Sequence, residues 1–336
     1  MRRTLERLVR EAAGLRALPP PLDAAVTRLE ESTWPEAVTR WSRLTPSGFP
    51  VELTIGGDAF RWTAEVAPPE VADSARLDLA VAILVAHGQA PDPALAGALR
   101  HAQAGAGLRF GAWIGGRESP ARAGSSRLKL YAEIPPEFPP PGLPVPSSFP
   151  WGLLPYGARA RMLGVEPARG RTEVYVRLPE VDPLDLLPFL HATGHGAALG
   201  AVERGLADGL GRLRGRRLGM SVARGSDGAT ELALFASART LFPAGPAMLS
   251  ALLNGMVNGM VNGMVSGTVN GMVSGAAGTG AWRAGLVTLG LDPEGRSLRT
   301  SVGISPGTPA RTGKSPRIGV GAYSCPDARP RGAMDV

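Results

Sequence analysis

Polar and apolar residues alternate strictly along several short segments of the chain. Residues 126–133, SRLKLYAE, place a charged residue or a tyrosine at every second position and an aliphatic residue between them. Residues 171–178, RTEVYVRL, repeat the pattern. Because successive side chains of a strand point to opposite faces, each segment predicts a strand with one aliphatic and one ionic face.

Segments of this kind occur in pairs separated by short turns that contain glycine, proline or aspartate, which predicts five β-hairpins. The predicted pairs are residues 50–55 with 59–66, 108–114 with 126–133, 161–167 with 171–178, 217–223 with 230–236, and 282–290 with 297–304. Helical periodicity lies between most of the pairs. Helices are predicted within residues 3–44, with a break at Leu18–Pro21, over 70–87 and 92–104, within 183–213, with a break near Gly194, and from 246 onward. The proline-rich residues 135–155 predict an ordered surface loop.

The helices must bury their apolar stripes, and the aliphatic strand faces are the large apolar surface that the sequence offers them. Ten antiparallel strands covered in this way can leave their ionic face in water on an open sheet, or can close around it. Closure is favoured because it removes the edge strands and collects the ionic side chains in one cavity. The predicted fold is therefore α+β, a ten-stranded antiparallel β-barrel with a ring of helices outside.

Composition narrows the class of partner. The chain has 336 residues, 36 of them basic and 29 acidic, for a net charge of +7, and one cysteine, Cys325. A single cysteine excludes a disulfide framework and is typical of a reducing compartment, so we expect a cytoplasmic protein. We also expect a monomer. The excess of basic residues suits an anionic ligand. Because only Lys129 and Lys314 are lysines, the many arginines can reflect compositional bias, so the net charge alone does not identify the ligand. No aromatic-basic motif indicates nucleic-acid binding. Residues 241–282 carry no charge, yet Asn or Ser recurs in their middle, which argues against a membrane span.

Residues 254–275 form a low-complexity insertion built on the tetrapeptide NGMV. A period of four drifts on a helix of 3.6 residues per turn, and each glycine costs roughly 1 kcal/mol relative to alanine, so a firm helix is not expected. We interpret the insertion as the expansion of a loosely held rim helix, with a methionine-lined lid over an apolar ligand as the alternative. The barrel domain is predicted to span residues 1–324, and residues 325–336 to form a disordered tail.

Several catalytic motifs are incomplete or absent. A GKS tripeptide ends at Ser315, but Thr308 stands where a phosphate-binding loop needs glycine. No DDxxD cluster is present, which argues against an all-α terpene synthase. His191 and His195 are four residues apart without the glutamate of a zinc protease, so a surface pair is expected rather than a metal site.

The five hairpins resemble, in order and in the residues that they carry, the soluble aromatic prenyltransferases of the ABBA-barrel type, and most closely the cyanobactin-type peptide prenyltransferases. The resemblance covers about residues 45–305. It is carried by GFPVELTIGG with FRWTAEV, LRFGAWIGGR with SRLKLYAEIP, GRTEVYVRLP, LGMSVARG with ELALFASARTLF, and AGLVTLGLD with LRTSVGISP. It implies repeated ααββ units and transfer of an isoprenoid group from an allylic prenyl diphosphate to an electron-rich acceptor, such as an aromatic side chain of a peptide natural product. The alternative is a non-catalytic barrel that binds a hydrophobic or anionic ligand.

Prenyl transfer needs cations for the diphosphate, aromatic faces around the carbocation and a base for the acceptor proton. The resemblance implies that Glu52 is the base. The implied diphosphate ligands are Arg61, Lys129, Arg127, Arg171 and Arg299. The implied cation shield comprises Tyr131, Tyr175 and Phe235.

Two positions depart from the pattern of the indole prenyltransferases. Glu173 stands between Arg171 and Tyr175, where a second lysine is expected; it either neutralises Arg171 or helps to bind a Mg²⁺ ion that bridges the diphosphate. Phe235 replaces a tyrosine, so it can shield a cation but cannot donate a hydrogen bond.

Other roles for the candidate residues stay open. Glu52 and Arg61 could instead form a structural ion pair across the first hairpin. Trp113 and Trp282 are candidate walls of the substrate pocket.

Overall fold

The structure is a computed structural model that describes residues 1–34, 37–55, 60–118, 126–135, 150–206, 208–224, 229–242 and 282–307. Within these ranges the strands are β1 (Val51–Ile55), β2 (Phe60–Glu65), β3 (Ala112–Glu118), β4 (Arg127–Glu133), β5 (Arg159–Glu166), β6 (Arg171–Val181), β7 (Arg216–Arg224), β8 (Thr230–Ser237), β9 (Trp282–Leu291) and β10 (Leu298–Pro306). The α-helices are α1 (Arg2–Ala13), α2 (Pro20–Glu30), α3 (Arg76–Ala86), α4 (Pro93–Gln103), α5 (Leu187–Ala192), α6 (Ala198–Gly205) and α7 (Ala238–Leu241).

The ten strands form a closed antiparallel barrel. Each strand pairs with its neighbours in sequence, and β1 pairs with β10, where Leu53 lies opposite Ile304. This closure confirms the predicted barrel and rules out the open sheet. The β9–β10 pair contains a register shift between Val302 and Ile304, the kind of irregularity that bends a strand and increases its twist.

The predicted alternation decides which side of the wall each residue occupies. On β4, Leu128 and Leu130 are fully buried on the outer side, where α3 packs against β3 and β4. Lys129 and Tyr131, between and beside them, keep partial exposure on the inner side. The aliphatic faces therefore supply the core between barrel and helices, as the sequence predicts.

Local signals set the helix ends. Helix α4 begins at Pro93, and the side chain of Asp92 accepts a 2.8 Å hydrogen bond from the backbone N–H of Ala94. Helix α1 ends at Ala13, and the next residue, Gly14, adopts a left-handed conformation with φ of 66°. Within residues 183–213 the predicted break near Gly194 is present: α5 ends at Ala192, Gly194 has a φ of 78°, and α6 starts at Ala198. The helical pieces are shorter than the prediction implies, and Pro188 stands in the first turn of α5, where proline is tolerated.

The second hairpin starts later than predicted. Strand β3 begins at Ala112 rather than at residue 108 because residues 109–111 form a turn around the side chain of Glu133. The carboxylate oxygen Oε2 of Glu133 accepts hydrogen bonds of 2.7, 2.8 and 3.1 Å from the backbone N–H groups of Arg109, Phe110 and Gly111. A strand cannot turn three successive N–H groups toward one acceptor, so the carboxylate fixes the end of the strand.

Part of the sequence interpretation falls outside the described residues. This applies to the predicted helix from 246 onward, the NGMV insertion at 254–275 and the tail at 325–336. Among the helices that are described, none has the length and apolar character needed to cross a membrane.

A buried ion pair joins the end of β2 to the start of α3. The side chains of Glu65 and Arg76 are each 1% exposed, and Arg76 Nη1 lies 3.0 Å from Glu65 Oε2. Arg76 also donates to the backbone carbonyls of Ala67, Pro68 and Val71 at 2.8–3.1 Å. The guanidinium therefore ties the chain between β2 and α3 to the barrel, a role that no periodicity in the sequence revealed.

Replacing Arg76 with alanine is expected to lower the free energy of unfolding by roughly 3–5 kcal/mol, because it leaves a buried carboxylate and three carbonyls without their donor. Urea unfolding followed by circular dichroism measures the change. Arg100→Ala is the matched control: Arg100 pairs with Asp78 on the surface, and an exposed pair contributes at most about 1 kcal/mol. Equal losses in the two variants would contradict the structural role of Arg76.

Candidate functional site

The ionic strand faces line the interior of the barrel. One row of register partners runs from β1 to β4: Glu52 lies opposite Thr63, Thr63 opposite Gly115, and Gly115 opposite Lys129. Glu52 and Lys129 come from different hairpins but face the same interior, three strands apart along this row. The sequence-predicted base and a predicted diphosphate ligand thus line one cavity.

The Glu52 carboxyl group occupies a notch formed by glycines of β9 and β10. A Cβ atom on Gly303 would lie 2.3 Å from its Cδ, and one on Gly285 would lie 2.1 Å from its Oε2. Burial raises the pKa of Glu52 to about 8, although a hydrogen bond from the backbone of Leu286 opposes the shift. No described residue donates a hydrogen bond to Oε2. A buried carboxyl with a free oxygen and a raised pKa is suited to accept a proton.

The alternative ion pair between Glu52 and Arg61 is not supported. In the first hairpin Arg61 lies opposite Thr54, whereas Glu52 lies opposite Thr63 and directs its carboxyl toward β9 and β10. Glu52 and Arg61 are therefore diagonal rather than direct partners in the hairpin, and the Glu52 carboxyl is seated against the glycines of β9 and β10.

Lys129 lies in a cluster of acidic and aromatic groups. Its Nζ atom forms an ion pair with Glu173 and donates a 2.9 Å hydrogen bond to the hydroxyl of Tyr175. The same atom lies 5.1 Å from the ring centroid of Tyr131 and 5.2 Å from that of Tyr175. Both rings are within the range of a cation–π contact, so Lys129 is held on three sides.

Arg171 extends this cluster toward the end of the barrel where the hairpin turns lie. Its guanidinium is 3.0 Å from Glu231, 3.7 Å from Glu173 and 3.9 Å from Glu166. Burial by itself would lower the pKa of Arg171, but the three carboxylates outweigh it and raise the pKa. Burial would raise the pKa of Glu173, but the charges of Lys129 and Arg171 outweigh it and lower the pKa to about 2. Glu173 is therefore ionised at any physiological pH.

The three predicted shielding residues form a continuous aromatic layer, comprising Tyr131, Tyr175 and Phe235. The ring centroids of Tyr131 and Tyr175 are 5.8 Å apart with an interplanar angle of 62°, and those of Tyr175 and Phe235 are 6.0 Å apart at 56°. Such tilted contacts are favourable arrangements for aromatic rings. Burial raises the pKa of Tyr175 well above its usual range, and Glu173 adds to the effect, so its hydroxyl stays protonated and can donate.

An arginine row crosses three neighbouring strands. Arg61 lies opposite Arg117, and Arg117 lies opposite Arg127, on β2, β3 and β4. Like charges directly opposite each other destabilise an antiparallel pair, and Glu166, 3.9 Å from Arg127, offsets part of this repulsion. Sequence reasoning selected Arg61 and Arg127 and missed Arg117, which the same alternation would have identified. Arg299 is exposed on β10, opposite Gly290.

Inward-facing glycines make room for these side chains. Gly164 of β5 lies between β4 and β6, and a Cβ atom there would be 2.5 Å from Cε of Lys129. The absence of a side chain lets Lys129 cross β5 and reach Glu173 on β6. In the same way Gly115 faces Tyr131, Gly219 faces Phe235, Gly290 faces Arg299, and Gly285 and Gly303 face Glu52. Glycines at inward positions of predicted strands are a signal that the sequence interpretation did not use.

The predicted Mg²⁺ site at Glu173 does not fit the observed surroundings. Glu173 already pairs with the cations Lys129 and Arg171, which would repel a divalent ion. In the part of the chain that the structure describes, no group of three His, Cys, Asp or Glu side chains could hold a metal. Of the two roles considered for Glu173, neutralisation of its basic neighbours is the one that these contacts favour.

The remaining predicted residues have mixed outcomes. Trp113 stacks on Phe110, with ring centroids 3.9 Å apart, whereas the Trp282 side chain lies outside the described part of the structure. The surface pair expected for His191 and His195 is wrong for His195, which is 1% exposed and whose Nδ1 lies 2.9 Å from the carbonyl oxygen of Thr193.

Comparison with solved structures identifies the fold. No family model matches the sequence, and no curated protein is similar to it. The 6-dimethylallyltryptophan synthase from Micromonospora olivasterospora, in complex with DMASPP and Trp, has a TM-score of 0.59 at 17% identity over 90% of this chain and 95% of its own. The prenyltransferase PriB has a TM-score of 0.60 at 14% sequence identity, over 92% of this chain and 97% of its own. The 5-dimethylallyl tryptophan synthase from Streptomyces coelicolor, in complex with DMASPP and Trp, has a TM-score of 0.53 at 16% sequence identity, over 95% of this chain and 92% of its own.

These similarities show that the chain has the ABBA barrel fold of the aromatic prenyltransferases, which confirms the predicted fold. The closer resemblance to the cyanobactin-type group stays a prediction.

The raised pKa of Glu52 predicts a specific dependence of stability on pH. Between about pH 4.5 and pH 8 the folded chain keeps this proton while the unfolded chain releases it, so wild-type stability falls as pH rises through this window. Glu52→Gln removes the penalty and is expected to gain about 1–3 kcal/mol relative to wild type between pH 5 and pH 8. Urea unfolding at several pH values measures the free energy of unfolding of the variant and of the wild type.

A stability difference between the two proteins that does not vary with pH would contradict the raised pKa of Glu52. The control is Glu180→Gln, which removes an exposed carboxylate on β6.

Proposed function

We propose that this protein is a prenyltransferase that moves an isoprenoid group from an allylic prenyl diphosphate to an electron-rich aromatic acceptor. The observation that carries the proposal is that Glu52, Lys129 and the aromatic layer face one barrel interior. A non-catalytic barrel would not require a proton acceptor, a cation and an aromatic surface to share that space. The DMASPP and Trp bound by two proteins of the same fold support this choice.

The diphosphate is assigned to the basic part of the interior. Lys129 and Arg171 share the carboxylate of Glu173, and Arg171, the arginine row and Arg299 lie toward the hairpin turns. As the allylic C–O bond breaks, negative charge grows on the departing pyrophosphate, and preorganised cations stabilise that charge. The arginine row would also attract a polyanion, which supports its assignment to diphosphate binding.

The aromatic layer is assigned to the allylic cation. Tyr131, Tyr175 and Phe235 present ring faces next to the Lys129 cluster, and each cation–π contact contributes about 0.5–2 kcal/mol. The rings also exclude water, which would otherwise capture the cation. Phe235 supplies a face without a hydroxyl, so the phosphate contacts on that side depend on the other groups.

Glu52 is assigned to the last step. When the cation bonds to a ring carbon of the acceptor, that carbon must lose a proton, and the free Oε2 of Glu52 can take it. A carboxylate with a pKa of about 8 is a stronger base than an ordinary one, but it is mostly protonated at pH 7. The rate is therefore expected to rise with pH until Glu52 is ionised.

The finer identity of the acceptor rests on the resemblance to cyanobactin-type enzymes. We propose an aromatic or other side chain of a peptide natural product, processed by a cytoplasmic monomer whose single domain spans residues 1–324.

The protein is expected to add a prenyl group to an aromatic acceptor when it is incubated with dimethylallyl, geranyl or farnesyl diphosphate. The acceptors are free tryptophan and tyrosine and peptides that contain Trp, Tyr or Arg, and mass spectrometry detects the added mass. Glu52→Gln is expected to lower kcat about 10²–10⁴-fold with little change in diphosphate affinity, whereas Lys129→Ala weakens that affinity. Turnover on free amino acids alone would reject the peptide assignment, and full activity of Glu52→Gln would reject the base.

Gly164→Ala tests whether the glycine next to Lys129 is required. The new Cβ atom would lie 2.5 Å from Cε of Lys129 and 3.1 Å from the Tyr175 ring, so both must move. We expect a loss of pyrophosphate affinity of about tenfold or more, measured by calorimetry, since misplacing a charged hydrogen-bond donor costs about 1.5–3 kcal/mol. Gly97→Ala, on the exposed side of α4 with nothing within 4 Å of the new atom, is the control. Unchanged affinity in Gly164→Ala would show that the glycine is not required for diphosphate binding.

A further inference from the structure

We propose that Glu173 is an internal counter-anion that occupies the diphosphate site of the free protein and weakens its affinity for pyrophosphate. The proposal rests on the proposed function, because it assigns a regulatory role to a residue of that same site. Its consequence is that substrate and product must compete with a fixed carboxylate for the same two cations.

The contacts place Glu173 where a phosphate oxygen would be expected to bind. Its Oε2 atom pairs with Nζ of Lys129 and lies 3.7 Å from Nη2 of Arg171. The residue is only 8% exposed, so water does not screen these interactions strongly. A single carboxylate oxygen thus engages the two central cations of the site at once.

Glu173 is not needed to hold those cations in place. Lys129 keeps its hydrogen bond to Tyr175 and its contacts with two aromatic rings. Arg171 keeps Glu231 at 3.0 Å and Glu166 at 3.9 Å. Neutralising Glu173 therefore leaves both cations positioned and makes the net charge of the cluster more positive by one unit. If Glu173 were instead required for positioning, its removal would weaken anion binding, so the two roles predict opposite results.

The charge balance of the site leads to the same inference. The cations Lys129 and Arg171 face three carboxylates within about 4 Å, those of Glu166, Glu173 and Glu231. Glu231 is 48% exposed at the rim, where water screens it, whereas Glu173 is buried at the centre. Glu173 is thus the carboxylate whose charge most directly opposes an incoming diphosphate. Weak retention of pyrophosphate would favour release of the product.

The test is calorimetric titration with inorganic pyrophosphate of the wild type, Glu173→Gln and Glu180→Gln. Glu180 is the matched control, because it is a glutamate of the same strand paired with Arg217 but 63% exposed. We expect Glu173→Gln to bind pyrophosphate about 10–100-fold more tightly than wild type, and Glu180→Gln to stay within twofold. Equal or weaker binding by Glu173→Gln overturns the proposal.

A second measurement needs no variant at this position. The chain has two lysines, Lys129 and Lys314, so protein labelled with ¹⁵N at lysine Nζ gives two side-chain signals, which Lys314→Arg assigns. Saturating pyrophosphate is expected to move the Lys129 signal as Nζ exchanges Glu173 for a phosphate oxygen. A Lys129 signal that stays in place while calorimetry shows binding overturns the proposal. Failure of both wild type and Glu173→Gln to bind pyrophosphate would instead count against the proposed function.

Discussion

The cost of enclosing charge inside a closed sheet governs this molecule. An isolated buried ion loses several kcal/mol of hydration, and a barrel encloses every side chain that its strands point inward. The chain meets this cost locally: Lys129 pairs with Glu173, and Arg171 lies among three carboxylates. The arginine row places three like charges on neighbouring strands, and an anionic substrate would be attracted to this part of the interior.

Two buried glutamates illustrate how the same residue type acquires opposite properties. Glu52 lies among glycines and a backbone N–H, and its pKa is raised to about 8, whereas Glu173 lies between two cations and its pKa is lowered to about 2. Environments that separate the pKa values of two like groups are a common basis for assigning acid and base roles. Here they separate a residue that can take a proton from one that can only act as a fixed charge.

The sequence predicts most of the fold because period-two alternation is a local signal. The ionic and aliphatic faces of β4 and β6 follow directly from it, and so does the closure that removes the edges. What it did not predict depends on partners distant in sequence. The late start of β3 reflects the carboxylate of Glu133, and the burial of Arg76 reflects a contact with β2. The role of Glu173 stays open between two alternatives when only the sequence is known, because the cations that surround it come from side chains that cross from neighbouring strands.

Register is the physical link between the fold and the candidate site. A slip of one residue would turn every inward side chain of a strand outward, so the features that fix strand ends also fix the site. The Glu133 carboxylate holds β4 against the turn before β3 and thereby sets Gly115 opposite Lys129. The irregularity between Val302 and Ile304 falls at Gly303, where the Glu52 carboxyl is seated. The barrel wall at Gly303 has no room for a Cβ atom. Substitutions that change substrate specificity are therefore more readily accommodated in the aromatic layer than at the glycines that face Glu52.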